Sequence, residues 1–293
     1  MRSGAALDSR DTPLAIITIC VGVGFLVAND AVAKLLTERY APIQIVFLRN
    51  LIAVPLIALL VIGLAGTHAL RTRHLGLHAL RGLLMVAGAW LYFTALMFLP
   101  LAEATALVFS APIFITALSV PLLGEPVGWK RWGAVLLGFA GVLVIVRPGG
   151  ATFQLAAFLP VGAALCYALF MLSARWIERA EGVWTMMFFV MLFPMLYAAP
   201  VAIAVWTPVL VGDLWLFVTI ALFGSLGITL IGQAFRLAPA AIVAPFDYTA
   251  LIWATGLGWM IWGDLPVLWT IIGAAIIVIS GMIIILREAR QGA

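Results

Sequence analysis

Asp30, Lys34 and Arg49 stand inside otherwise apolar stretches early in the chain, and Asp247 stands inside another near its end. A charge in hydrocarbon is costly unless it pairs, lines water or serves transport, so these four are candidates for ion pairing or proton coupling. Asp30 and Lys34 are one helical turn apart and can pair along one face, while Lys34 is near enough to a helix end to snorkel. Arg49 has no partner at helical spacing and takes Asp30 as its candidate. Asp247 can carry a proton, or serve Arg236 or a backbone amide as a structural partner. A second set offers rings, hydroxyls, amides and a thioether for holding a small organic molecule. Asn29, Trp90, Thr94, Phe109 and Ser110 supply it in the first half, and Tyr167, Met171, Gln233, Tyr248 and Thr249 in the second. Gln233 in an apolar helix needs partners, so it should face protein or water and not lipid.

Nothing here assembles a catalytic centre. The chain has no His-Glu-x-x-His helix, no Gly-x-Ser-x-Gly turn and no pair of membrane aspartates in a Gly-x-Gly-Asp setting. Cys20 and Cys166 lie singly in apolar runs. His68, His74 and His78 fall in a short basic stretch without acidic or Cys partners, which reads as a solvated loop. No metal, cofactor or catalytic residue is expected, and an enzyme is the less favoured class.

The elements that must position these residues are transmembrane helices. The chain of 293 residues is 65% hydrophobic and 10% charged, against roughly 45–50% and about 25% for soluble domains. Its apolar runs approach the roughly 20 residues that an α-helix needs to cross a bilayer. The runs predict spans at 13–36, 42–63, 81–99, 101–123, 132–146, 155–177, 183–205, 214–237, 239–262 and 266–286, with a polar joint at 67–80. The expected fold class is all-α integral membrane, with ten transmembrane helices. The scattered basic residues make no stripe for nucleic acid. They concentrate instead at one set of joints, Arg2, Arg10, Arg71, Arg73, Arg81, Lys130, Arg131, Arg175, Arg179, Arg236, Arg287 and Arg290, against Lys34, Arg39 and Arg147 at the other. The positive-inside rule then puts both termini in the cytoplasm, in a multi-pass protein of the cell inner membrane.

The chain is also written twice. The register that lays Gly124 on Gly263 also lays Ala95, Pro100, Thr116 and Leu118 on Ala234, Pro239, Thr255 and Leu257. One residue further on, Pro126, Trp129, Gly133, Gly141 and Arg147 fall on Pro266, Trp269, Gly273, Gly281 and Arg287. Residues 1–148 and 149–293 are thus read as two five-helix repeats. An odd number of spans per copy makes them inverted, an arrangement that puts a binding site near the midplane at the repeat interface and suits alternating access. Pro112 and Pro245 should interrupt matched helices, bringing Phe109/Tyr248 and Ser110/Thr249 to mid-membrane depth. Trp90/Thr229 and Thr94/Gln233 are matched pairs on another helix face. Gly133, Gly138 and Gly141 predict close packing of the fifth span.

The turn Leu123-Gly124-Glu125-Pro126 and the following Trp132-Gly133-Ala134-Val135-Leu136-Leu137-Gly138-Phe139-Ala140-Gly141-Val142 resemble the EamA-type exporters of the drug/metabolite transporter superfamily. Within it the chain looks most like bacterial exporters of amino acids, including aromatic ones. The resemblance implies a basket of ten helices whose first, third, fourth, sixth, eighth and ninth members face a cavity. It implies a monomeric secondary transporter with a small-molecule substrate and the lipid bilayer as partners. Drugs or other metabolites are the alternative cargo.

Overall fold

The computed structural model describes residues 11–124, 128–148, 154–174, 176–177 and 181–291. Residues 1–10 of the polar leader expected at 1–12, Glu125 and Pro126 of the charged turn, and Arg175, Glu178 and Arg179 of the sixth joint lie outside the described residues. Twelve helices carry the fold: α1 (Asp11–Thr37), α2 (Pro42–Ala65), α3 (Leu75–Leu96), α4 (Leu101–Val108), α5 (Ala111–Leu123), α6 (Trp129–Val146), α7 (Phe158–Ala174), α8 (Val183–Ala204), α9 (Leu214–Leu237), α10 (Ala240–Val243), α11 (Ala250–Trp262) and α12 (Leu268–Gln291). With no water to take up backbone groups, apolar chain in a bilayer closes its hydrogen bonds within helices. Among the described residues nine helical stretches are long and apolar enough to span, Leu101–Leu123 counting as one across a break. The tenth apolar run is divided into α10, a 3₁₀ segment Ala244–Thr249, and α11. Proline at the start of α2 suits the first helical turn. Gly124 and Gly263, at φ 67° and 71°, end α5 and α11 in the left-handed cap that glycine adopts without strain.

The helices pack in an order that alternates the two halves of the chain. The principal pairs are α1 with α9, α3 with α7, α2 with α8, and α6 with α12. Two seams depend on bare backbone. A Cβ on Gly227 would lie 2.9 Å from the Gly22 carbonyl oxygen, and one on Gly273 would lie 2.7 Å from that of Gly141. Small residues let membrane helices approach this closely, where van der Waals contact has to replace the hydrophobic effect as the driving force. Ser280, fully buried in α12, donates to the Ala134 carbonyl of α6 at 2.6 Å and tightens the same seam. Of the three glycines expected to pack in α6, Gly141 and Gly138 do so. A Cβ on Gly133 meets nothing within 4 Å, because this residue lies on the exposed face of α6, beside the buried Ala134.

The end bearing the α1–α2 turn is tied shut by polar contacts. Gln44, fully buried, clamps Thr207 from both sides, donating to its carbonyl at 2.7 Å and accepting from its N–H at 2.9 Å. Tyr40 and Arg39 both donate to Asp213, at 2.7 and 3.2 Å. At the same end α4 packs against α11, whereas among the described residues α5 and α10, their continuations toward the other end, barely touch. The broken helices are therefore packed together at the α1–α2 end and parted at the α2–α3 end.

That opposite end holds a correction. α3 begins at Leu75 within the expected loop, and His78 is buried, not solvated, at 1% exposed. Its Nε2 meets Glu181 at 2.6 Å, and the hydroxyl of Thr72 donates to the same carboxylate. Burial pushes the Glu181 carboxyl up, but hydrogen bonds from Thr72 and His78, the charge of His78 and the backbone N–H of Arg73 outweigh it and hold the group below its ordinary value. A carboxylate stabilised in this way contributes above its ordinary pKa, and its contribution disappears as pH falls through the depressed value. The protection of amides 71–78 against hydrogen exchange, taken relative to the intrinsic rate at each pH, should therefore fall on acidification below about pH 4, and Glu181→Gln should show the lowered protection already at neutral pH. Equal protection in the two proteins at neutral pH would refute this tether.

Candidate functional site

The two interrupted helices build the centre. α4 stops at Val108 and α5 resumes at Ala111 with Pro112 in its first turn, where a missing N–H costs nothing. Pro245 does the same inside the 3₁₀ segment before α11. Each break frees a carbonyl, and each is answered by the hydroxyl of the matched pair. Ser110 donates to the Leu107 carbonyl and Thr249 to the Phe246 carbonyl, both at 2.7 Å. These hydroxyls therefore hold backbone in the present arrangement. The rings do converge: Phe109 and Tyr248 pack at 4.8 Å between centroids, inclined at 44°. Residues matched between the two halves thus meet at the point where both helices are broken.

Tyr248 is held there by its surroundings. It is 9% exposed, and its hydroxyl lies over Gly281 of α12, where a Cβ would come within 1.6 Å of the oxygen. That hydroxyl is buried without a hydrogen-bond partner. The neighbouring Asp247 is exposed, and its charge acts on the hydroxyls of Tyr248 and Tyr167. Tyr167 and Met171 share the accessible face of α7, at 45% and 36%, while Ala168 beside them is fully buried. Beside the ring pair stands an exposed carboxylate that acts on an accessible phenol, with a thioether on the same face of α7, groups suited to hold an aromatic or cationic part of a small molecule.

The remaining candidates are dispersed. Trp90 is 47% exposed on α3, one turn before the buried Phe93, whose ring lies under the Arg49 guanidinium. The Thr94 hydroxyl returns to the Trp90 carbonyl at 2.6 Å, as a lone hydroxyl on an open helix face does. Thr229 and Gln233 are exposed on the face of α9 away from the α1 seam, with Thr229 bonded back to Ser225. None of these four reaches Phe109 or Tyr248. The exposure of Gln233 is compatible with the expected water-facing position.

The ionisable residues of the first half also pair differently from the local reading. Asp30 does not engage Lys34. It accepts from Asn29 at 2.9 Å and from Tyr92 at 3.3 Å, and Tyr92 in turn meets Thr105 at 3.3 Å. Arg49 is close enough for its charge to act on Asp30, as expected, without reaching ion-pair distance. Lys34 runs the other way, donating to the Leu99 carbonyl at 2.9 Å, lying 3.6 Å from Asp264 and over the ring of Trp262. The helical spacing allowed the local pair, and the long lysine stem reached better partners at the closed end.

Tyr92, Thr105, Trp262 and Asp264 were not among the candidates. The signal for Tyr92 was its phenol in an apolar helix, which has to find a partner. The others contribute through contacts distant in sequence. Among the described residues there is no group of three His, Cys, Asp or Glu that could hold a metal ion.

Three comparisons bear on this arrangement. The pattern of the EamA-like transporter family matches residues 13–147. A riboflavin transporter of Vibrio cholerae is 31% identical over 94% of each chain. An S-adenosylmethionine uptake transporter of Rickettsia bellii is 27% identical, covering 94% of this chain and 97% of that one. A pseudopaline exporter of Pseudomonas aeruginosa is 26% identical over 90% of this chain and 93% of that one. What these relatives have in common is small-molecule transport, inward for some and outward for others. The narrower resemblance to amino-acid exporters is not what they show.

Proposed function

The chain belongs to the EamA-like transporter family, and we propose that it is a secondary carrier that moves amino acids or metabolites bearing an amino-acid group across the inner membrane by alternating access. The observation that carries this reading is the meeting of the two broken helices at Phe109 and Tyr248, beside an accessible Asp247 and Tyr167. Interrupted helices at mid-depth are where carriers expose ligand-binding groups. The aromatic lining suits aromatic members of the class. S-adenosylmethionine carries an α-amino-acid group, so a relative with that cargo supports the same reading.

The cycle follows from an inverted duplication. The packing supports one: α1 with α9 and α7 with α3 are exchanged by the repeat register, while α2 with α8 and α6 with α12 exchange with themselves. A two-fold of this kind makes two mirror-related states nearly equal in energy. The observed state departs from the symmetry in one direction, with Gly141 and Gly273 in contact and Gly133, the copy of Gly273, in open space. With the termini cytoplasmic, the parted end faces inward, and export begins by loading there.

The test is counterflow into proteoliposomes loaded in turn with a panel of amino acids, S-adenosylmethionine and riboflavin, with and without a pH gradient. Accelerated exchange of at least one amino acid is the expected outcome. Exchange of riboflavin alone would remove the amino-acid assignment. Asp247→Asn should abolish any dependence of the flux on the pH gradient, and undiminished dependence would exclude this carboxylate as the coupling group.

A further inference from the structure

Between α1, α2, α3, α8 and α9 lies a second cavity of about 120 Å³. One water needs roughly 10–15 Å³ of such space, so this one has room for a compact polar group. Its walls are largely aliphatic, from Leu26, Val46, Met191 and Pro194, and its polar residues are Asn29, Arg49, Asn50 and Ser225. Asn50 and Ser225 are occupied locally, donating to the carbonyls of Val46 and Ala221 at 2.8 Å. The other two have groups to spare. Asn29 is 4% exposed, and its amide donates to Asp30 while its oxygen, buried against Gly224, accepts nothing. Arg49 begins the third turn of α2, about 10 Å along the axis from the helix start. Its guanidinium lies over the Phe93 ring and borders the cavity.

An arginine at this depth normally pairs with a carboxylate or lines water, and a buried acceptor left empty costs stability. Here a cation and an empty amide oxygen, the latter next to a carboxylate, border a single cavity. This is the complement of a zwitterion. Arg49 offers a planar fork of donors to a carboxylate, and the Asn29 oxygen with Asp30 behind it offers acceptance to an ammonium. We propose that this cavity binds the α-amino-acid head group of the transported molecule, Arg49 receiving its carboxylate and Asn29 its ammonium. The assignment rests on the functional reading above and adds to it the part of the cargo that is recognised.

Two further observations support this placement. Asp30 is joined through Tyr92 to Thr105, one turn before Phe109, so a polar path runs from the cavity to the aromatic constriction. The repeat register sets Asn29, Asp30, Arg49 and Asn50 on Ala168, Leu169, Phe188 and Phe189. The second half has no copy of the group, as expected for a feature serving an asymmetric cargo and not the shared architecture.

The test uses the full chain in proteoliposomes, with L-phenylalanine counterflow as the readout. Two competitors each lack one charge, 2-phenylethylamine the carboxylate and 3-phenylpropanoate the ammonium. Both should compete at least about tenfold more weakly than L-phenylalanine, the scale of a lost charge-assisted hydrogen bond. Arg49→Gln should raise the KM for L-phenylalanine at least about tenfold while leaving competition by 2-phenylethylamine unchanged, and Arg49→Lys should recover part of the loss. Equal competition by the three molecules against the wild-type protein overturns the proposal without any variant, so a misfolded Arg49→Gln protein leaves it decidable. An unchanged KM in a folded Arg49→Gln protein also overturns it while wild-type amino-acid flux stands. Absence of amino-acid flux in the wild type overturns the functional reading instead, and with it the premise of the head-group site.

Discussion

Replacing Gly273 with leucine is expected to leave little monodisperse protein in detergent, whereas leucine at Gly133, matched to it in sequence, should be tolerated. The difference lies in what a side chain meets. At Gly273 the first added atom falls 2.7 Å from the Gly141 carbonyl oxygen and 2.4 Å from Ile145, while at Gly133 nothing lies within 4 Å. Overpacking usually costs about 1–3 kcal/mol because side chains can shift. Here the obstructing atom is backbone of the facing helix, so α6 and α12 would have to separate, losing the Ser280 bond to Ala134 as well. Against a total stability of roughly 5–15 kcal/mol, separation of a principal seam is a large fraction. Size-exclusion profiles and thermal unfolding of the two variants are the check. A Gly273→Leu protein with the melting temperature of the wild type would mean that the helices do not cross this closely.

The breaks and the pairing of their residues are legible in the sequence. Proline removes a donor wherever it falls, so Pro112 and Pro245 announced interruptions by chemistry alone. Their matched positions then implied that Phe109 and Tyr248 are related, and the structure sets those rings 4.8 Å apart. Partner choice was not legible. Spacing says which groups Lys34 can reach within its own helix, and nothing about Leu99, Trp262 or Asp264, brought to it by folding. His78 was read as solvated because Glu181, which buries and satisfies it, lies far along the chain. Direction was not legible either. Trp90, Thr94 and Gln233 lie in apolar helices whose sequence is hydrophobic all round, so periodicity does not separate a face lining a path from one facing lipid.

Tyr248 separates packing from binding, because its ring and its hydroxyl are in different circumstances. The ring packs on Phe109 where both helices are broken, so Tyr248→Ala should cost about 3–5 kcal/mol, as deletion of a buried aromatic does, and should reduce counterflow at least about tenfold. The hydroxyl makes no hydrogen bond, and a buried unpaired hydroxyl is a cost of about 1–3 kcal/mol. Tyr248→Phe should therefore melt at or above the wild-type temperature. If the hydroxyl is kept for the cargo, the same variant should lose transport while gaining stability, a combination that a purely structural tyrosine cannot give. Gly281→Ala makes the complementary perturbation: it leaves the hydroxyl in place chemically but drives it from its seat, 1.6 Å from the new Cβ, so the ring must tilt off Phe109. Its transport should fall as Tyr248→Phe does, without the gain in stability. A Tyr248→Phe protein that is more stable and transports at the wild-type rate would leave the ring as a plug between the two halves and would assign recognition to other residues of the path.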